Sequence, residues 1–198
     1  GCLLFALVRR SPRAAALGLL LGLAYLSFGL IQRERAEALA ADLAASRGDA
    51  AALVTARPSF GNIIVWRTIY RVGEVYRIDA VRLVPWAPAT LYPGTTVAAF
   101  TEADADLAAP PDSTLRSDIE RFRFFSQGFL QQVPGEPDLV GDVRYSTRPQ
   151  GMQPLWAIRL GGQPDAHVPF AYLSRDAATA LKELWQMLTG SYPGQPIH

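Results

Sequence analysis

From Ala14 to Ile31 the chain runs without a charge, with Arg9, Arg10 and Arg13 before this stretch and Arg33 and Arg35 after it. As a helix these residues would extend about 27 Å at ~1.5 Å per residue, close to the ~30 Å hydrocarbon core of a bilayer. The pattern predicts a membrane span over 14–31. Gly18 and Gly22 fall on one face of it, a spacing that permits close helix–helix contact in lipid. Beyond the span, Ala36, Leu39, Ala40 and Leu43 keep the i, i+3, i+4, i+7 spacing of a helix, and Gly48 is a suitable stop. Residues 32–57 therefore read as a helical stalk or linker, broken at Arg57-Pro58, with a soluble domain over 58–198. Gly1 to Val8 is apolar but too short to span, and reads as the tail of a further transmembrane helix.

The soluble part opens on a different periodicity. Ile63–Val72 and Val75–Val84 are rich in β-branched and aromatic residues, which suit strands. Gly73-Glu74 between them fits a type II′ turn. That turn pairs Val72 with Val75, Tyr70 with Arg77, Thr68 with Asp79 and Trp66 with Val81. Apolar and charged residues then mix on both faces, so neither face reads as plainly core or plainly solvent. A lone hairpin is marginal in water, and the remaining chain must cover it.

Further along, VPWAPATLYPG reads as turn-rich, and Glu102–Asp112 as an acidic loop. A helix follows, with Ser117 and Glu120 as its capping box and Ile119, Phe122, Phe125, Phe129 and Val133 along one side. Leu139–Ser146 and Leu155–Gly161 read as two more strands. Ser174 is the expected N-cap of a last helix, with Ala177, Leu181, Leu184, Trp185 and Leu188 as its apolar stripe and Gly190 after it. The expected fold class is α+β: a transmembrane helix and stalk, then a mainly antiparallel sheet of two hairpins covered by amphipathic helices.

Charge changes this picture little. The 19 basic and 18 acidic residues divide into +3 over residues 1–57 and −2 over 58–198, which excludes the basic footprint of a nucleic-acid binder. The single Cys2 excludes an internal disulfide framework. The excess of arginine before the span places the first loop in the cytoplasm and the soluble domain outside it.

Three stretches carry a resemblance: SFGNIIVWRTIY with YRIDAVR, RFRFFSQG, and GDVRYS with PLWAIRL. Together they resemble the C-terminal region of the membrane-bound, metal-dependent hydrolase-like proteins of bacterial inner membranes, the YbcI/YdjM kind. The resemblance covers most of residues 58–161. It implies the bacterial inner membrane as location and a hydrolase as parent protein. It also implies a divalent metal held upstream of Gly1, with no cofactor in this stretch.

The residues themselves show no catalytic constellation. His167 and His198 stand outside any metal-ligand spacing, and Asp104, Asp106 and Asp112 depart from a calcium loop. Ser59, Ser126 and Ser146 lack a nucleophile-elbow context. The charges embedded in strands are Arg67, Asp79, Arg82, Asp142 and Arg144. Arg67 and Arg82 are diagonal neighbours on one hairpin face, within reach of a common anion. The alternative is structural: buried Asp and Arg pairing across the sheet. Trp66, Trp156, Tyr70, Tyr76 and Tyr145 fit a core or an interface better than a base-stacking platform. Two functions therefore stand side by side: the tethered domain of a metal-dependent hydrolase, or a non-catalytic membrane-anchored module that recognises an anionic headgroup or a protein partner.

Overall fold

The computed structural model describes residues 12–160, 165–173 and 176–197. The expected tail helix over 1–8, Cys2, Ser174 and His198 lie outside them. One helix, α1, spans Pro12–Ser46 without a break. Its first half is long and apolar enough to cross a membrane, and none of that apolar window is buried by the other described residues. Its second half does more than a stalk. Gln32, Ala36, Ala40 and Ala44, one helical turn apart, are all buried. These small side chains let α1 lie close on a sheet, where Ala36 packs with Trp66, Val81, Leu83 and Leu91.

That sheet is built from β1 (Ala52–Pro58), β2 (Val65–Val72), β3 (Val75–Arg82) and β4 (Ala89–Ala98). A short C-terminal strand, β9 (Gln195–Ile197), completes the order β1-β2-β3-β4-β9. The β2–β3 hairpin has the register expected from its turn, from Val72↔Val75 through Tyr70↔Arg77 to Trp66↔Val81. Gly73 adopts φ 55° while Glu74 stays negative, as a type II′ turn requires. The mixed faces also find their reason: α1 covers one, and the rest of the domain covers the other.

Several expectations are corrected. The first strand begins at Ala52, inside the stretch read as linker. The turn-rich VPWAPATLYPG leads into a ten-residue strand, β4. Its Pro93-Gly94 sits at a register shift opposite Ile78 and Ala80, where a missing ladder donor is tolerated. A Cβ on Gly94 would lie 2.3 Å from the Ile78 carbonyl oxygen, so the close approach demands glycine. The acidic loop is in part a helix, α2 (Glu102–Ala108), and the reciprocal capping box belongs there, between Thr101 and Asp104. The next helix, α3 (Thr114–Phe125), is capped by Ser113 rather than Ser117. Its buried stripe ends at Phe122: Phe125, expected in it, is half exposed, Phe129 follows the helix, and Val133 already lies in a strand.

Among the described residues the strands form two sheets rather than one. The second runs β5 (Leu130–Val133), β6 (Glu136–Asp142), β7 (Trp156–Arg159), β8 (Phe170–Tyr172) in that order, antiparallel throughout. The strands expected at 139–146 and 155–161 are β6, which stops at Asp142, and β7. Helices α2 and α3 cover this sheet through Phe100, Leu115, Ile119, Phe122, Val140 and Ile158. An Ala99↔Gln131 bridge and a cluster of Ile69, Tyr76, Ile78, Val97, Phe129 and Val143 join the two sheets. The last helix, α4 (Ala177–Thr189), is capped by Asp176 and ends at Gly190 with φ 81°. It turns Ala180, Leu184 and Met187 inward against Val65, Ala80 and Tyr92. Leu181 and Trp185, expected in its buried stripe, are 60% and 66% exposed. The fold class is α+β, with a long apolar N-terminal helix and antiparallel sheets.

Candidate functional site

The five strand-borne charges do not form one site. Asp79 faces α1: Arg47 Nη1 donates to its Oδ2 at 2.6 Å and the Gly94 amide to its Oδ1 at 3.1 Å. Arg47 also donates to the Tyr70 hydroxyl, which donates to Asp49, and Arg77 lies 2.8 Å from Asp49. The hydrogen bond that Arg47 donates to Asp79, with that to Tyr70, raises its guanidinium above its ordinary value against the opposing effect of burial. Arg47 was missed in the sequence because it ends a helix read as a free stalk. Arg82, expected to share a common anion with Arg67, instead donates through Nε to the Leu188 carbonyl near the end of α4. There a cation meets the unsatisfied carbonyls and the negative end of the helix dipole.

Arg67, Asp142 and Arg144 come together at the seam between the two sheets. Arg67 points from the central strand β2 into the loop after β6. Its Nε donates to the Val143 carbonyl at 2.9 Å, and its Nη1 to the carbonyls of Pro149 and Gly151 at 2.7 and 2.8 Å. Nη2 is buried and has no hydrogen-bond partner among the described residues. Burial pushes the guanidinium down to about 9, with the Asp142 charge opposing the fall, so Arg67 is a cation at neutral pH. Asp142, fully buried, holds Arg144 in a two-pronged pair, Nε–Oδ1 2.9 Å and Nη2–Oδ2 2.8 Å, and accepts the Arg144 amide as well. Arg144 continues to the Gln127 side chain and the Phe125 carbonyl, each at 2.9 Å. Two buried guanidinium groups thus share one buried carboxylate. Asp142 thus pairs with Arg144 two residues along the same stretch of chain rather than across the sheet, and Arg67 is the cation in excess.

Above these two arginines lies a cleft of about 590 Å³, within the ~300–1,000 Å³ range of small-molecule sites. Its walls are mostly apolar: Pro58 and Phe60 on one side, Leu155 across, and Ala180, Leu181 and Leu184 from α4. Tyr145, Ser146 and Thr147 add polar atoms beside Arg67 and Arg144. The loop bearing Phe60 is rigidly built. Asn62 donates to Ser59 Oγ at 2.8 Å, and its Oδ1 accepts from the amides of Ile64 and Val65. The one sequence signal for this cleft was an apolar stripe on α4 wider than a single buried face needs.

Among the described residues His167 pairs with Asp118, 3.1 Å away, which also binds the Val168 amide and Arg121. This ties a loop to α3. Among the described residues no group of three or more His, Cys, Asp or Glu is placed to hold a metal ion. Trp66 and Tyr76 are core, as expected, and the rings of Tyr145 and Trp156 meet at a 40° tilt with centroids 5.0 Å apart. Comparison with protein-family models, with curated proteins and with solved structures finds no match to this chain. The class of protein is therefore defined by its own parts: a membrane-length helix running into a two-sheet domain with an arginine-floored apolar cleft.

Proposed function

We propose that this chain is a membrane-anchored binding domain whose cleft takes an anionic amphiphile, with the acidic head toward Arg67 and Arg144 and the chain along Leu155, Leu181 and Leu184. The carrying observation is the combination in one cleft of apolar walls with a surplus buried cation. A guanidinium out of water binds carboxylate or phosphate more strongly than one in solvent, and apolar walls supply the burial energy for an acyl or alkyl chain. The bacterial inner membrane, with the domain on its outer side, is the location that goes with this reading. A parent metal-dependent hydrolase, as the sequence resemblance implies, would be compatible with it: the domain would hold substrate or lipid while ligands elsewhere held the metal.

The test is calorimetric titration of the chain in nanodiscs, with empty nanodiscs as blank, using octanoate, octyl phosphate and octanol. The two anions should bind with one site and the uncharged alcohol at least about tenfold more weakly, ~1.4 kcal/mol. The stronger anion distinguishes a fatty acid from a phosphate headgroup. Leu181→Asp, at an exposed wall position, should weaken the anions more than octanol. Equal affinity for all three probes, or anion binding indifferent to Leu181→Asp, would sink the proposal.

A further inference from the structure

Like Phe124 on α3, which is 88% exposed, two loop aromatics stand out from the surface: Phe60 is 87% exposed and Trp86 wholly exposed. They lie in separate loops, one entering β2 and one leaving β3, at the same end of the central hairpin. Gln32, the residue that follows the apolar run of α1, binds both loops at their bases. Its side-chain amide donates to the Leu83 carbonyl at 2.8 Å and to the Ile63 carbonyl at 3.3 Å. Within the run itself, a Cβ at Gly29 would lie 3.7 Å from Ile63 Cγ2. The hairpin end is therefore fixed at the level where α1 would leave the hydrocarbon. The opposite end, at the Gly73 turn, lies near the other end of the α1 contact, where Arg47 meets Tyr70 and Asp79.

Both loops are held in shape rather than loosely extended. The Asn62 hydrogen bonds fix the first. Trp86 in the second adopts φ 59°, a left-handed conformation that bulky residues seldom take and that directs attention to function. Beside Phe60, Leu181 and Trp185 add exposed apolar surface with Lys182 among them. Tryptophan and other amphipathic rings settle at headgroup depth, and the basic side chains Arg33, Arg35 and Lys182 suit the adjoining phosphates.

We infer that Phe60 and Trp86 form a second membrane contact that seats the domain on the bilayer surface from which α1 emerges, bringing the Phe60 wall of the cleft to the lipid headgroups. This inference rests on α1 spanning the membrane, though not on the ligand assigned to the cleft. The test is nitroxide depth measurement on the full chain in phosphatidylcholine–phosphatidylglycerol nanodiscs, with Cys2→Ser as background. Single labels go at Phe60→Cys, at Ala87→Cys beside the intact Trp86, at Leu23→Cys in the span, and at Leu107→Cys on the exposed face of α2 at the far end. Labels at 60 and 87 should favour oxygen over a water-soluble nickel chelate several-fold more than the label at 107. Trp86→Ser should move the label at 87 toward water. If 23 is in lipid but 60 and 87 match 107, surface seating is wrong while the span stands. A water-accessible 23 would remove the span and the inference with it. Spin–spin broadening at 60 or 87 would assign the surface to a second copy of the chain and overturn the proposal.

Discussion

Asp142→Asn is the substitution that most sharply probes the cleft floor. Asparagine keeps the shape of the side chain and removes the one buried carboxylate between Arg67 and Arg144. Asp142 accepts three hydrogen bonds from Arg144, at 3.0, 2.9 and 2.8 Å, and is wholly buried. Breaking a buried ion pair from one side costs about 3–5 kcal/mol, because the remaining charge is left in a medium that solvates it poorly. For a domain of this size ~1 kcal/mol moves the melting temperature by roughly 2–4 °C, so a fall of roughly 6–20 °C is expected. The assay is thermal unfolding followed by near-UV circular dichroism on the full chain in nonionic detergent. Octyl phosphate should restore more stability to the variant than to the parent chain, because an added anion replaces the lost countercharge. Replacing both partners by Asp142→Leu with Arg144→Met should cost less than Asp142→Asn alone. An Asp142→Asn chain melting within about 2 °C of the parent would refute the reading of these groups as a coupled, desolvated set.

Other expectations follow from burial and charge elsewhere. Trp66→Ala, in the layer between α1 and the first sheet, should cost about 3–5 kcal/mol, whereas Phe125→Ala should cost under ~1 kcal/mol because that ring is 56% exposed; urea midpoints of the two variants decide it. Burial works to raise the Asp118 carboxyl, but the Val168 amide, His167 and Arg121 together hold it below its ordinary value. A depressed carboxyl stabilises above its unfolded value of ~3.9, and that contribution is lost as pH falls through the folded one. Asp118→Asn should therefore be less stable than the parent at neutral pH, with the gap closing in acid; a gap constant with pH would contradict the assignment.

What the sequence made legible was local. The β2–β3 register followed from one glycine and an alternation of β-branched residues, because a two-residue turn fixes every pair that follows. The membrane-length run in α1 needed only composition. What stayed hidden was set by contacts distant in sequence. Ala36 and Ala40 looked like any helical stripe until a sheet was laid against them, and Arg47 looked solvated because its partner Asp79 lies across that packing. Arg67 and Arg82 shared a strand face as expected, yet diverged to Gly151 and Leu188, loop and helix carbonyls that no spacing rule connects to them. Of the cleft only the wide apolar stripe of α4 left a trace in the sequence, since its other walls come from β1 and the loops around β2 and β7.

The central claim is that an amphiphile lies in this cleft, and photocrosslinking tests it where it would lie. A fatty acid bearing a diazirine near mid-chain, added to the chain in nanodiscs and irradiated, should label peptides covering residues 58–61, 144–149 and 177–184. Unlabelled fatty acid should compete and the matching alcohol should not. Labelling confined to the apolar residues 14–31, or spread without competition over the exposed surface, would contradict it.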